Sequence, residues 1–423
     1  MILSLAPHRV APLVILAAMV SLAAAADRSA GQQAPPFRSG VEVVLIDVSV
    51  IDKTGTPVAE LGPNEFTVVV DGVARRIVSA QFINHHATQT PPTPAPLATD
   101  VAAGIAAEPA AAAPIRGRDV LIVIDEDSLE TGDGLLAKRA ATGFLDKLGP
   151  VDRVGFATLP RLRSNLTLSP DRDETKRAIA RWVPGPRTDP PGTYWIGVSE
   201  ALEIDSNDSL TTQKVVAREC LPPRDPRGSP SQNCAREVIQ EARQLARRVR
   251  TRGTLSLDGL RTLGRGLRQI DGPKTIVLIS GGQLPPESNS SFAALEGELA
   301  AAQVTLYTLY FEKSPYSAQR TMSSPSLMED DRVEADGIAN VTSAAGGTLL
   351  NVIGTVEPYF ERVATELSAS YLLGIEVMPA DRDGKPHRVS VKVSRPDLDV
   401  RARKQYVIQP EKPPARYPST PVI

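Results

Sequence analysis

Apolar and polar positions change rhythm several times along the chain. Val41–Val50 (VEVVLIDVSV) and Glu65–Val70 (EFTVVV) are Val/Ile-rich runs of strand character, separated by turn chemistry at Asp52-Lys53-Thr54-Gly55 and Leu61-Gly62-Pro63-Asn64. Asp71-Gly72 then predicts a hairpin joining Glu65–Val70 to Ala74–Ile83. Residues 40–84 therefore predict a small antiparallel β unit, too small to bury a good core alone. The stretch 87–116 has no apolar periodicity. Positions 87–114 hold eleven Ala and six Pro, the composition of an extended linker.

From Arg118 strands and helices alternate. Val120–Ile124 (VLIVI) is a continuous apolar run, as in a strand buried on both faces of a parallel sheet. Leu136, Ala140, Phe144 and Leu148 follow at helical spacing, then Arg153–Leu159 as a strand. Ser169-Pro170 predicts a helix start, with Ser as the cap and Pro at the first helical position, running to Trp182. Strands at Thr275–Ser280, Val304–Tyr310 and Thr348–Asn351 alternate with helices through Phe292–Ala302 and Val333–Ala345. The expected core, over 118–365, is a doubly wound, mainly parallel α/β sheet. A helical insertion at 200–272 interrupts it, with one stripe at Val238, Ala242, Leu245 and Val249 and another at Leu260, Leu263, Leu267 and Ile270. The tail, 371–408, returns to β in Tyr371–Val377, His387–Ser394 and Val400–Val407, read as a meander. In it His387, Val389, Val391 and Val393 form the buried face. Each flanking β unit has one apolar face to cover, so the two are expected to pack into a joint β-sandwich-like domain.

The first 26 residues read as an export signal: His8 and Arg9, the apolar Val10–Ala25, and the small residues Ala24–Ala26 before cleavage. An uncleaved anchor is the alternative. No later stretch is apolar for long enough to cross a bilayer, so cleavage leaves no membrane span. The expected location is periplasmic or secreted. An exported chain meets an oxidising compartment, which favours a disulfide between its two cysteines, Cys220 and Cys234, over two unpaired thiols. The bridge would close a loop of ~15 residues, worth ~3 kcal/mol in the chain-entropy account. Two cysteines at this spacing without a nearby histidine do not make a zinc site. A net charge of −2 provides no global field for nucleic acid. Aromatic residues at 4% argue against a stacking platform or a sugar cleft. Arg243, Arg247, Arg248, Arg250 and Arg252 admit two readings, an anion-binding face or a solvated helix face.

The candidate chemistry lies where the first α/β strand ends, at Asp125-Glu126-Asp127-Ser128. Open α/β sheets bind ligands outside the carboxyl ends of their strands, and carboxylates with a hydroxyl suit a hard cation. Thr193 and the Ser280-Gly281-Gly282 turn are further candidates at that edge. Here residues 118–365 resemble the von Willebrand factor A-like domain. The chain as a whole resembles its exported bacterial branch, termed VWFA-related, in the FRSGVEVVLIDVSVIDKTGTPV leader, the KTIVLISGG strand and the SASYLLGIEV…GKPHRVSVKVSRP close.

The resemblance implies a metal-ion-dependent adhesion site, in a degenerate form. Asp125 matches the first Asp, Asp127 stands for the first Ser and Leu129 for the second. Thr193, or Thr188, matches the loop Thr, and Gly281 takes the place of the last Asp. The expected ligands of a weakly held magnesium or calcium ion are Asp125, Asp127, Ser128 and Thr193, against a solvated strand end.

Enzyme signatures are sparse. The mature chain has His85, His86 and His387, far from the acidic strand end in sequence, and no G-x-S-x-G elbow. Gly266–Thr275 lacks phosphate-loop spacing and precedes its strand. The expectation is a non-catalytic protein-interaction module whose partner is a protein. The alternatives are an exported metal-dependent hydrolase using Asp125 and Asp127, and a structural envelope component.

Overall fold

The computed structural model describes residues 43–85, 117–130, 132–162, 167–184, 192–221, 230–312, 326–403 and 405–408. The predicted export signal, the 87–116 linker, His86, Thr188 and most of the segment between the cysteines lie outside the described residues. The first strands are β1 (Val43–Ile51), β2 (Phe66–Val70), β3 (Val73–Arg75) and β4 (Ile77–Asn84). The Asp71-Gly72 hairpin forms, both residues taking positive φ (48° and 82°) as a two-residue turn between strands requires. The strand after it differs from expectation. It breaks at Arg76, so β3 stays paired with β2 while β4 crosses to a second sheet.

The central elements are β5 (Asp119–Asp125), α1 (Asp133–Leu145), β6 (Arg153–Leu159) and α2 (Arg172–Arg181). Next come α3 (Val198–Asp205), α4 (Ser209–Cys220), α5 (Gln232–Leu267) and β7 (Lys274–Ser280). α6 (Ser290–Ala301), β8 (Val304–Phe311), α7 (Leu327–Ala344), β9 (Thr348–Val352) and α8 (Glu357–Glu366) complete this part. β5 to β9 form a five-stranded parallel sheet in the order β6-β5-β7-β8-β9. Every residue of β5 is buried. Val120, Ile122 and Ile124 pack on the side of α1, α2 and α8, whereas Leu121 and Val123 pack on the side of α5, α6 and α7. A strand covered on both faces has no solvent side to mark with polar residues, which is why VLIVI shows no alternation.

Two helix expectations change. Ser169 does not cap α2. Its backbone exchanges hydrogen bonds with Val154, and Asp171 caps instead, accepting from the amides of Asp173 and Glu174. The two helical stripes of the insertion belong to one continuous helix, α5, whose 36 residues span ~54 Å. Its second half, through Leu257, Leu260, Leu263 and Leu267, packs on the parallel sheet. Its first half packs with α3 and α4 through Val238, Ala242 and Ala246 around Ala201, Ile204, Val215 and Val216. The Cys220–Cys234 disulfide joins the end of α4 to the start of α5, with Cα atoms 5.9 Å apart.

The last strands are β10 (Ala369–Glu376), β11 (Pro386–Val393), β12 (Asp399–Ala402) and β13 (Gln405–Val407). They do not form a meander. They alternate between two four-stranded sheets, ordered β12-β1-β10-β4 and β13-β11-β2-β3, so each sheet combines N- and C-terminal strands, interleaved in the first and paired at β11–β2 in the second. The physical reason is the shared core: neither set of strands can cover its own apolar face. Ile46, Val48, Val50, Phe66, Val68 and Val70 bury against Tyr371, Leu373, Ile375, Val389 and Tyr406. The Tyr371 hydroxyl donates to Val58 O (2.9 Å) and accepts from the Leu61 amide (3.0 Å), fixing the β1–β2 connection. On β11, His387 and Val389 are buried and Val391 and Val393 half-buried, as the alternation predicts. No helix among the described residues is long and apolar enough to cross a membrane.

Candidate functional site

The carboxyl ends of β5 and β7 meet α5 and α7 around one small cavity. Asp125, Asp127 and Ser128 line it from the β5 end, Gly282, Gln283 and Leu284 from the β7 end, Arg252, Gly253 and Ser256 from α5, and Glu334 from α7. Asp125 and Glu334 are each 4% exposed. Asp125 Oδ2 accepts from Ser280 Oγ at 3.3 Å and from Ser256 Oγ at 3.5 Å. Arg252 lies one helical turn before Ser256, so both side chains leave α5 on the same face, towards the acids. The cavity is about 20 Å³, room for little more than one water.

Glycines let four segments converge here. A Cβ on Gly281 would stand 2.3 Å from the Ser128 carbonyl oxygen. One on Gly253 would stand 2.4 and 2.5 Å from the carbonyls of Leu284 and Pro285. Gln283, 2% exposed, bolts the β7 loop to α5: its Nε2 donates to Gly253 O at 3.0 Å and to Leu284 O at 2.8 Å. Its backbone amide donates to Glu334 O at 3.0 Å, tying in α7.

The structure brings Asp125, Asp127 and Ser128 together on this cavity and leaves Thr193 outside it. Thr193 is exposed, and its neighbours Gly192 and Tyr194 lie against Glu241, twelve residues or ~18 Å along α5 from Gly253. Glu126 turns the other way, accepting from Trp182 Nε1 at 3.0 Å. Leu129 is buried in the core with α1.

These residues do not fit the divalent ion that the resemblance implies. Ser128 Oγ donates to Asp125 O (2.9 Å), accepts from the Gly281 amide (2.8 Å) and lies 3.1 Å from Ser280 Oγ, so it is already engaged in holding the β5 and β7 ends together. The packing at Gly281 leaves no room for the missing Asp. Among the described residues no group of three His, Cys, Asp or Glu is placed to hold a metal.

The five α5 arginines do not form one face. Arg250 pairs with Asp205, Arg243 donates to Asn207 Oδ1 at 3.3 Å, and Arg252 lines the acidic cavity. Arg247 and Arg248 are exposed. His85 Nε2 lies 3.2 Å from Ser370 Oγ, and His387 sits between two carboxylates at the far end of the β sheets. Lys274, in the phosphate-loop-like stretch, donates to Ile270 O at 2.6 Å, which closes the turn from α5 to β7.

Sequence reasoning missed Arg252, Ser256, Gln283 and Glu334 as site residues. Only Arg252 and Ser256 left a signal, their four-residue spacing on a helix. Gln283 and Glu334 reach the cavity through tertiary packing alone.

Exposed apolar side chains flank the contact between α3 and α7. Ser199 of α3 donates from its amide (2.7 Å) and hydroxyl (2.6 Å) to Asp330 Oδ1 of α7. Trp195, four residues before Ser199, is 65% exposed, and Met328, two before Asp330, is 82% exposed. The loop holding Trp195 is braced by Glu219, which accepts from the Trp195 amide at 3.1 Å. Tyr194 beside it donates to Glu237 Oε2 at 2.8 Å, and that bond raises the pKa of its phenol. No model of a known protein family matches the chain, and no curated protein matches it.

Proposed function

We propose that the chain is an exported, non-catalytic protein-interaction module of the von Willebrand factor A-like kind. In this reading a doubly wound α/β domain presents its carboxyl-edge rim to a protein partner. The helical insertion α3–α4–α5 stands over that rim, and a β-sandwich of N- and C-terminal strands braces the domain from below. The observation that carries the reading is the pair of exposed large apolar side chains, Trp195 in the loop before α3 and Met328 on α7, the two helices being joined by the Ser199–Asp330 bonds. Exposed aromatic and Met side chains beside a rigid polar rim are the composition of binding surfaces. The Cys220–Cys234 bridge supports export to a periplasmic or extracellular compartment, where such bonds persist.

The test is site-specific photo-crosslinking in the native host, with a photoreactive side chain at Trp195, at Met328, or at Lys385, whose side chain is 78% exposed in the turn before β11. The reading expects a discrete protein adduct from positions 195 and 328 and none from 385. Adducts of equal yield from all three positions overturn it. So does the absence of any adduct, which is the outcome for a purely structural envelope component.

A further inference from the structure

We propose that the guanidinium of Arg252 does the work of the divalent ion, so that the carboxyl-edge cavity is held in shape by a charge built into the protein. The inference rests on the reading of this edge as the binding face and adds that binding there is independent of calcium and magnesium.

Three features carry it. First, the cavity collects the carboxylates of Asp125, Asp127 and Glu334, and Arg252 is the one basic side chain among its described lining residues. Asp125 and Glu334 are buried and Asp127 is half-buried beside them, and buried carboxylates facing one cavity repel one another and need a cation or protons to offset their charge. Second, the position of Arg252 is enforced. Gly253 lets α5 approach the β7 loop to backbone contact, and Gln283 clamps that approach with two hydrogen bonds. One turn on, Ser256 reaches Asp125. Third, the changes that disable a metal site are the ones this packing requires. Ser128 Oγ bonds the Gly281 amide, and the close approach of Ser128 O to Gly281 excludes any Cβ there. A planar guanidinium with five N–H donors serves several carboxylate oxygens at once and brings no hydration shell into a cavity of this size.

Removing Arg252 should therefore leave an acidic cavity that calls for an outside cation. The experiment compares the purified wild-type chain with Arg252→Ala and Arg252→Lys, titrated with terbium, whose emission is sensitised by a nearby indole such as Trp182, and with calcium. The expected result is no saturable terbium emission for wild type or Arg252→Lys. For Arg252→Ala the expected result is saturable emission, abolished by adding Asp125→Ala, and a melting temperature that rises with calcium. Saturable emission in wild type that Asp125→Ala abolishes overturns the proposal. So does an Arg252→Ala protein that is folded by circular dichroism yet no more cation-responsive than wild type. Should Arg252→Ala fail to fold in buffer, calcium in the refolding mixture must restore it, and failure to do so also overturns the proposal. The readout needs no partner, so its failure is separate from failure of the crosslinking.

Discussion

Glu366 ends α8 and joins the parallel-sheet region to the paired β sheets. Its side chain is fully enclosed, and it accepts from Arg401 Nη1 of β12 at 2.5 Å and from Arg362 Nε at 2.9 Å. Arg401 also donates to Thr348 Oγ1 of β9 at 3.0 Å, and Ser49 Oγ of β1 donates to the Glu366 carbonyl at 3.3 Å. Burial, and then the Glu366 carboxylate, push the phenol of Tyr307 well above its ordinary pKa, so Tyr307 stays neutral beside the pair. Glu366→Ala removes the carboxylate paired with the Arg401 guanidinium, which is 17% exposed, and leaves it facing that neutral ring. Breaking a buried pair costs ~3–5 kcal/mol. Arg362 is 46% exposed and regains water, which puts the expected cost at the lower end, about 3 kcal/mol. At ~1.4 kcal/mol per decade, that accelerates native-state hydrogen exchange in β1 and β12 about a hundredfold. Arg401→Met leaves the enclosed carboxylate with the half-exposed Arg362 alone and should cost ~1–3 kcal/mol. The double variant removes both charges and should cost less than the sum by more than ~1 kcal/mol. Acceleration below about threefold for Glu366→Ala, or two single effects that add to within ~0.5 kcal/mol, refutes the argument.

Three further outcomes are expected. The His387 imidazole has Asp71 Oδ2 at 2.7 Å from Nδ1 and Asp383 Oδ1 at 3.1 Å from Nε2, with the Tyr406 ring packed against it. Burial opposes its charge, but the bonds and charges of Asp71 and Asp383 outweigh this and hold its pKa above the ordinary value, while both carboxylates are held below theirs. The stability from His387 is therefore fully present below ~6.5 and lost as pH rises through the raised value; that from the two acids is present above ~4 and lost on acidification. Urea midpoints of wild type and His387→Gln should differ most between those limits and converge at alkaline pH, and a gap that widens at alkaline pH refutes the clamp. Gly281→Asp, which supplies the acid that the von Willebrand factor A-like pattern would have there, drives a Cβ into the Ser128 carbonyl and should cost ~1–3 kcal/mol; a melting temperature that millimolar magnesium raises above wild type would show that a metal site can be built. Replacing both Cys220 and Cys234 by Ala should cost ~3 kcal/mol. The loss should appear as faster exchange in α4 and the start of α5 with β5 and β7 unchanged, and uniform acceleration would contradict a staple local to these helices.

Amino-acid order determined much of the architecture through local rules. The unbroken apolar run VLIVI required cover on two faces, the alternation from His387 to Val393 required cover on one, and Asp71-Gly72 required a tight reversal; all three form. Export and spacing pointed to the Cys220–Cys234 bridge, which is present. The register of the tail was not legible. Whether β11 lies beside β10 or beside β2 depends on which neighbour buries its apolar face, and that neighbour is more than 300 residues away. The continuity of α5 was likewise hidden, because its two apolar stripes face different neighbours, α3 and α4 for the first and the parallel sheet for the second. At the site, the sequence placed Asp125, Asp127 and Ser128 together because they are neighbours on one strand end. Thr193, expected at that edge from the position of its loop and from the resemblance, is instead held away from it, its neighbours Gly192 and Tyr194 lying against Glu241. Arg252, Gln283 and Glu334 come from three other segments, and their meeting is decided by how closely α5 and α7 approach the β7 loop. Local chemistry sets which elements form. The distances between elements, and with them the charge inside the cavity, are settled only when the whole core packs.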